Sequence, residues 1–404
     1  MTLEIEKLTD DLDEMARNAA ARQEREERVI EAALAKLRQY REDWSFIDQS
    51  LALALDMVDI KRYRSARPFD ENEQLDAAIN PSQPPSQATI IATDGSQIIP
   101  DRHAPYLYSL INIGVVVYFH GRGLPPEQFT HPALDYPEKS QAEAEEFADR
   151  GAIVNLRRDR AEIEVLARTA WSYREEVRPL LAILDQRLLY WPVVGDSDND
   201  GKRVLESWRP SMTNIRALGG LLAGYIDRPG KRSILTLLDT FDIHSPSFDK
   251  EILQGGDAWG GLTDASLFSR ILEPGQRSKV FIDISHHNNE FRADDPQNEV
   301  CFFYLNPGQR GRKIARVDIP RFVAEDDAAV SAVHSLIYDQ CNILGGYPYV
   351  ITRADEQAVV TFKDKEHLDT MIGNKMQQYD MTAGITAKQS TKNIARAGKS
   401  RHEV

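Results

Sequence analysis

The chain has 404 residues, 42% of them hydrophobic, enough for a sizeable core, so wholesale disorder is excluded. Its two cysteines, Cys301 and Cys341, are too few for a disulfide framework or a four-cysteine zinc site and read as small buried hydrophobes. The formal net charge of −14 argues against a broad phosphate-binding surface; binding is local, however, and divalent-metal chemistry needs acidic ligands, so a nucleic-acid partner is not excluded.

The N-terminal residues are charged and lack the apolar stretch of a signal peptide. Residues 3–60 place apolar side chains at helical spacing among many charges (Leu3, Leu8, Leu12, Met15, then Val29, Ala33, Leu37). This predicts an N-terminal helical arm over residues 1–64, either docked on its own domain or open to a partner. Residues 65–87, rich in Pro, Ser and Asn, predict a linker or surface loop. The main domain is then expected over 88–383. It opens with ATIIAT (Ala88–Thr93), a strand leading into a turn at Asp94-Gly95-Ser96. Tyr106–His120 predicts one or two more strands, and its apolar run, Leu110–Phe119, is too short to span a bilayer. Ala142–Phe147 and Val154–Arg178 predict helix, and LLAIL (Leu180–Leu184) predicts a strand that ends at Asp185.

Further on, Ser211–Tyr225 reads largely as helix and Ile234–Leu238 as strand. Val280–Ile284, Val300–Leu305 and Ile314–Ile319 predict three more strands, and Asp327–Leu344 an amphipathic helix. Pro348–Ile351 and Ala358–Phe362 are short strand candidates, and His367–Gln378 a last helix. Residues 384–404 form a basic tail carrying Lys388 and Lys392. Strands alternating with helices predict an α/β domain with a mixed sheet flanked by helices. A soluble cytoplasmic protein is the expectation.

An apolar strand followed by an aspartate occurs twice, at Asp94 and Asp185. A carboxylate just past a buried strand is held at a sheet edge by rigid backbone, and two such carboxylates side by side repel unless a cation joins them. Mg²⁺ or Mn²⁺ suits an all-oxygen site of this kind. The helix between the two strands offers Glu162 or Glu164 as a third ligand. Glu164 is flanked four residues away on each side by Arg160 and Arg168, the pattern of a solvated, ion-paired residue, whereas Glu162 lies nearer the packed face with Val165 and Leu166. Glu162 is favoured and Glu164 is the fallback.

A strand Asp, a helix Glu and a second strand Asp make the acidic trio of ribonuclease H-like nucleases. Other segments follow in order: Leu188-Leu189-Tyr190-Trp191-Pro192, Cys301-Phe302-Phe303-Tyr304-Leu305, Ala315-Arg316-Val317-Asp318-Ile319-Pro320, Gly346-Tyr347-Pro348-Tyr349 and Arg353-Ala354-Asp355-Glu356. Together these resemble the NurA family of prokaryotic DNA-end-processing nucleases, from about Ala88 to the C-terminus. The resemblance implies a ribonuclease H-like fold and a metal-dependent DNA nuclease, with single-strand endonuclease and 5′-to-3′ exonuclease activity in end resection. It also implies a homodimer working with a hexameric HerA-type ATPase. Asp94, Glu162, Asp185 and Asp355 would hold Mn²⁺ or Mg²⁺, Tyr347 would touch phosphate or base, and Arg316, Lys388 and Lys392 are candidate DNA contacts.

The sequence departs from the family pattern in places. Asp185-Gln186-Arg187 stands where a second Asp-Gly-Ser is common, and Asp355 where a His is common. The Lys that commonly precedes Ile234–Leu238 is matched by Asp227-Arg228 or Lys231. The alternative these departures raise is a non-catalytic adaptor that keeps the fold and binds a translocase or DNA without cutting. His286-His287 reads as a polar loop, and Asp196–Asp200 as a solvated turn lacking the Glu that closes a calcium loop. No P-loop and no nucleophile elbow is present.

Overall fold

The protein is described by a computed structural model covering residues 5–102, 104, 106–137, 151–191, 198–256, 258–308 and 313–379. Among the described residues nine strands occur in chain order: β1 (Ser65–Pro68), β2 (Ala88–Ile98), β3 (Ser109–His120), β4 (Glu127–Asp135), β5 (Leu180–Leu184), β6 (Leu221–Ile226), β7 (Phe281–Ile284), β8 (Val300–Leu305) and β9 (Ala315–Pro320). The helices are α1 (Thr9–Gln39), α2 (Trp44–Met57), α3 (Gly151–Ser172), α4 (Asp198–Ala217), α5 (Ser233–Thr240), α6 (Asp264–Phe268), α7 (His286–Asp294), α8 (Arg321–Ala324), α9 (Asp327–Leu344), α10 (Tyr349–Ala358) and α11 (Phe362–Gln377). The predicted fold class, α/β with a mixed sheet flanked by helices, is the one found. The chain divides into two compact units, residues 1–85, 186–189 and 221–349 in the first and residues 86–185, 190–220 and 350–404 in the second.

In the first unit β1, β7, β8, β9 and β6 pair in that order, all antiparallel. Phe281, Phe302 and Tyr304 of this sheet share one core with Leu34 and Leu37 of α1 and Ile47 and Leu51 of α2. The N-terminal helices are therefore docked from Ile30 onward, while Thr9–Ala21 is exposed. The segment 65–87, expected as a linker or surface loop, carries one strand and one core residue. Ser65–Pro68 is an edge strand in register with Phe281–Ile284, and Leu75 is fully buried in the same core. Its Pro and Asn content reflects an edge strand and turns rather than a tether.

Other expectations change as well. Ile234–Leu238 is helical: the Asp264 carboxylate accepts N–H bonds from Ile234 (3.0 Å) and Leu235 (3.0 Å) and caps α5 from thirty residues downstream. A short, wholly buried apolar run carries no period that separates strand from helix, and a distant cap leaves no local mark. The Ser211–Tyr225 segment stays helical to Ala217, turns at Gly219 (φ 73°), and becomes β6. The strand candidates at Pro348–Ile351 and Ala358–Phe362 instead border and form α10. His286 and His287 open α7 behind a Ser285 cap, both near Glu290 at 3.6 and 3.3 Å. Asp198–Asp200 opens α4. Ala142–Phe147, residues 196–197 and the whole of 384–404 lie outside the described residues.

In the second unit β5, β2, β3 and β4 pair in that order, β5 parallel to β2 and the rest antiparallel. α3 packs on β2, burying Ile163, Leu166 and Ala170. The parallel pair with an intervening helix, β2–α3–β5, brings two sequence-distant strand ends together. No helix of the described residues is long and apolar enough to cross a membrane.

Candidate active site

β2 does not turn at Asp94, as the sequence suggested, but runs straight through Asp94-Gly95-Ser96 to Ile98, pairing those three residues with Gly114, Ile113 and Asn112. On its other edge the last rung with β5 is Thr93 against Leu184. The next residues are Asp94 and Asp185, so two aspartates emerge side by side from strands about 4.8 Å apart. Asp94 is half-buried and Asp185 exposed.

Each residue of Asp94-Gly95-Ser96 has its own work. Asp94 Oδ1 accepts from the Gly95 N–H (2.8 Å). Gly95 faces α3, and a Cβ there would stand 2.5 Å from Glu162 Oε1 and 2.7 Å from Arg158 Cγ. Glycine is required for space, not for a left-handed turn, because the helix carboxylate passes over this position. Thr93, on the same face, donates to the Glu162 carbonyl (3.1 Å) and fixes the height of α3. The Ser96 hydroxyl donates to the Ala358 carbonyl at the end of α10, and Asn112 Nδ2 donates to the same oxygen (2.9 Å). These bonds satisfy a carbonyl that the helix end leaves free, and they hold the helix that carries Asp355. Gly114, the rung partner of Asp94, faces α10, where a Cβ would lie 2.4 Å from the Ala354 carbonyl oxygen and 2.5 Å from the Ala358 nitrogen. Two glycines on adjoining strands thus let one helix on each face of the sheet bring an acid up to Asp94.

The electrostatics follow from this crowding. Burial raises the Asp94 carboxyl, the Gly95 N–H opposes it, and Asp355 raises it again, leaving it at about 6. Burial likewise pushes Glu162 well above the carboxylate range; Arg158 opposes, and Asp94, Asp159 and Asp185 add to the rise. Asp159 and Arg158 escaped the sequence reading, although both lie within one turn of Glu162. Asp159 accepts from Arg158 Nη2 (2.7 Å) and from the Tyr190 hydroxyl (3.0 Å), whose ring stacks on Trp208. Among the described residues no three carboxylate, imidazole or thiolate groups stand at metal-coordination distance. Asp355 thus adds to the rise at Asp94, and Asp94 and Asp185 to that at Glu162, without a closed coordination shell.

Comparison with known families accords with this arrangement. The family described as the NurA domain matches residues 88–360. The chain belongs to the NurA family. The crystal structure of the NurA nuclease from Sulfolobus solfataricus is similar at a TM-score of 0.50 and 14% identity, over 94% of this chain and 98% of that one. The catalytic domain of human endonuclease V (TM-score 0.31, 13% identity, 80% and 98% covered) and endonuclease V from Bacillus subtilis (TM-score 0.30, 13% identity, 74% and 88% covered) are also similar. No curated protein matches the chain.

Set on the NurA pattern, the remaining candidates separate clearly. Glu162 is 5% exposed and turned to the acidic cluster, whereas Glu164 is paired with Arg160 (2.7 Å) at i,i+4 on a more open part of α3. We expect Glu164→Gln to change DNA cleavage rates less than twofold and stability by no more than about 0.5 kcal/mol; a large loss of cleavage would transfer the ligand role to Glu164. Tyr347 belongs to the first unit, where its ring meets Tyr225 edge-on at 5.4 Å. Arg316 is not a DNA contact. It is 2% exposed, donates to Asp283 (2.9 Å) and Asp318 (2.6 Å), and lies 3.7 Å from the centre of the Phe302 ring. Burial would raise the Asp283 carboxyl, but Lys231 and Arg316 outweigh it and hold it well below the usual range. Arg316 and Lys231 are therefore internal cations of the first unit, a reading that alternating strand residues in a buried sheet conceal. Lys388 and Lys392 lie outside the described residues.

Proposed function

We propose that this chain is a metal-dependent DNA nuclease whose divalent cation is held by Asp94, Glu162, Asp185 and Asp355. The observation that carries the reading is that Asp94 and Asp185 follow directly on the last rung of adjoining strands, Thr93 against Leu184, with Glu162 and Asp355 brought toward Asp94 by α3 and α10. NurA membership supports nuclease-type chemistry. The donor set fits Mg²⁺ or Mn²⁺: four carboxylates and no sulfur, with the Asp94 and Glu162 carboxyls raised by burial and then by their acidic neighbours. When bound, such a cation supplies a low-pKa water and neutralises charge on the phosphate.

The protein's own groups do the remaining work. Asp94 and Asp185 are fixed by sheet backbone, Glu162 by α3, and Asp355 by the Ser96 and Asn112 anchors on α10. Asp355, in the place of the family's His, offers oxygen and not an imidazole proton. Tyr347 is proposed as a phosphate or base contact, and Lys388 and Lys392 as DNA contacts. The proposed substrate is linear DNA, cut by single-strand endonuclease and 5′-to-3′ exonuclease activity during end resection and double-strand break repair. A homodimer acting in the cytoplasm with a HerA-type hexameric ATPase completes the reading.

The test is cleavage of end-labelled linear DNA with Mn²⁺ by Asp94→Ala and Asp185→Ala; undiminished cutting by both folded variants would end the proposal. Metal binding gives a second readout. Asp94 must lose a proton that it holds up to about pH 6, so each unit of pH below that costs about tenfold in affinity at this ligand. Glu162, pushed well above the carboxylate range by burial, must also lose its proton, so the rise in Tm on adding Mn²⁺ should grow with pH, shrink as pH falls through 6, and be nearly gone at pH 5. A wild-type protein that neither cuts nor responds to Mn²⁺ would favour the adaptor reading.

A further inference from the structure

The geometry points to Arg158 as a built-in counter-ion that occupies the metal's side of Glu162 when no cation is bound. This inference rests on the metal reading above. Arg158 stands four residues before Glu162 on α3, and its Nε lies 3.2 Å from Glu162 Oε1. The same guanidinium faces Asp159 and Asp94, so one cation serves three acids. Its position depends on Gly95, since a Cβ there would meet both the Arg158 stem at 2.7 Å and the Glu162 carboxylate at 2.5 Å.

The contacts of the guanidinium are unequal. Nη2 donates to Asp159 (2.7 Å) and Nη1 to Gln97 Oε1 (3.1 Å). Nε is buried with no hydrogen-bond partner among the described residues, although it stands 3.2 Å from Glu162 Oε1. The link to Glu162 is therefore a contact of charges without a directed bond, while two aligned bonds hold the side chain elsewhere. A divalent cation can take Glu162 without breaking either bond. Arg158 thus holds the acids together without a metal and would compete with one for Glu162.

A purely structural arginine and a competing one differ in sign. Loss of a structural residue weakens folding and metal binding together. Loss of a competitor weakens the metal-free fold and tightens metal binding. We expect Arg158→Gln to lower the Tm of the metal-free protein by roughly 3 °C and to tighten Mn²⁺ binding, measured by calorimetry, on the order of tenfold. Arg158→Lys keeps the charge but cannot span Asp159 and Gln97 together, so its affinity should lie between the two; it carries the test if Arg158→Gln does not fold. Unchanged or weakened Mn²⁺ affinity in the variants, with normal binding by wild type, would overturn the counter-ion role alone. Absence of Mn²⁺ binding by wild type would instead overturn the metal reading, and the counter-ion role with it.

Discussion

Replacing Asp94 by Asn should make the metal-free protein more stable while removing its DNA cleavage. The Asp94 carboxyl is held at about 6, against 3.8 in the unfolded chain, chiefly by burial. A carboxyl whose proton affinity rises on folding favours the folded state only while protonated. The penalty is absent below about pH 4, grows as pH climbs to about 6, and is complete above it. Two pH units correspond to about 3 kcal/mol, and partial solvent access reduces this to about 2 kcal/mol. Asn keeps the oxygen that accepts from the Gly95 N–H and never ionises. Thermal melts of Asp94→Asn and wild type should therefore coincide near pH 4 and separate by several degrees at pH 8, with the variant higher. Cleavage of labelled DNA should fall by about a thousandfold or more if Asp94 holds the cation as proposed. A variant destabilised at pH 8 would mean that the carboxylate is compensated in the folded protein, against the crowding described above.

The two glycines beside Asp94 should fail in different ways. In Gly95→Ala the new methyl meets side chains only, the carboxylate end of Glu162, the stem of Arg158 and the Ile113 methyl, and no backbone. The fold should lose roughly 1–2 kcal/mol, but the helix carboxylate is evicted from the cluster, and cleavage should fall about a hundredfold. In Gly114→Ala the methyl meets the backbone of α10 at three atoms, all within 3 Å. Backbone cannot swing, so the helix must lift, at about 3 kcal/mol or more, and Asp355 moves with it. Urea titration and single-turnover cleavage on the same preparations separate the cases. Equal stability losses in the two variants would show that α3 and α10 yield alike, contrary to what each glycine touches.

Much of this site was legible because its determinants are local. The apolar runs before Asp94 and Asp185 sit in adjoining strands, and the Arg160 and Arg168 flanks of Glu164 marked it as the solvated acid. Asp94-Gly95-Ser96 was misread as a turn because the same three residues serve turns and close approaches equally well. Its real determinants, Glu162 over Gly95 and Ala358 against Ser96, are 67 and 262 positions downstream respectively. The same holds for α5, whose cap Asp264 is tertiary, and for Arg316, whose partner Asp283 lies in another strand. Arg158 went unread because an i,i+4 ion pair on a helix resembles ordinary surface stabilisation until the face it points to is known.

The docking of residues 30–75 reaches beyond anatomy. The NurA match begins at residue 88, yet Leu34, Leu37, Ile47, Leu51, Ala66 and Leu75 fill the same core as Phe281 and Tyr304. Each such side chain contributes about 1.5–3 kcal/mol when fully enclosed, apart from the smaller alanine, and a domain's margin is only about 5–15 kcal/mol. The stretch by which descent is recognised is thus shorter than the stretch that folds. Selection on the family's chemistry must act on this upstream segment too, through solubility and turnover, even where no ligand or motif marks it.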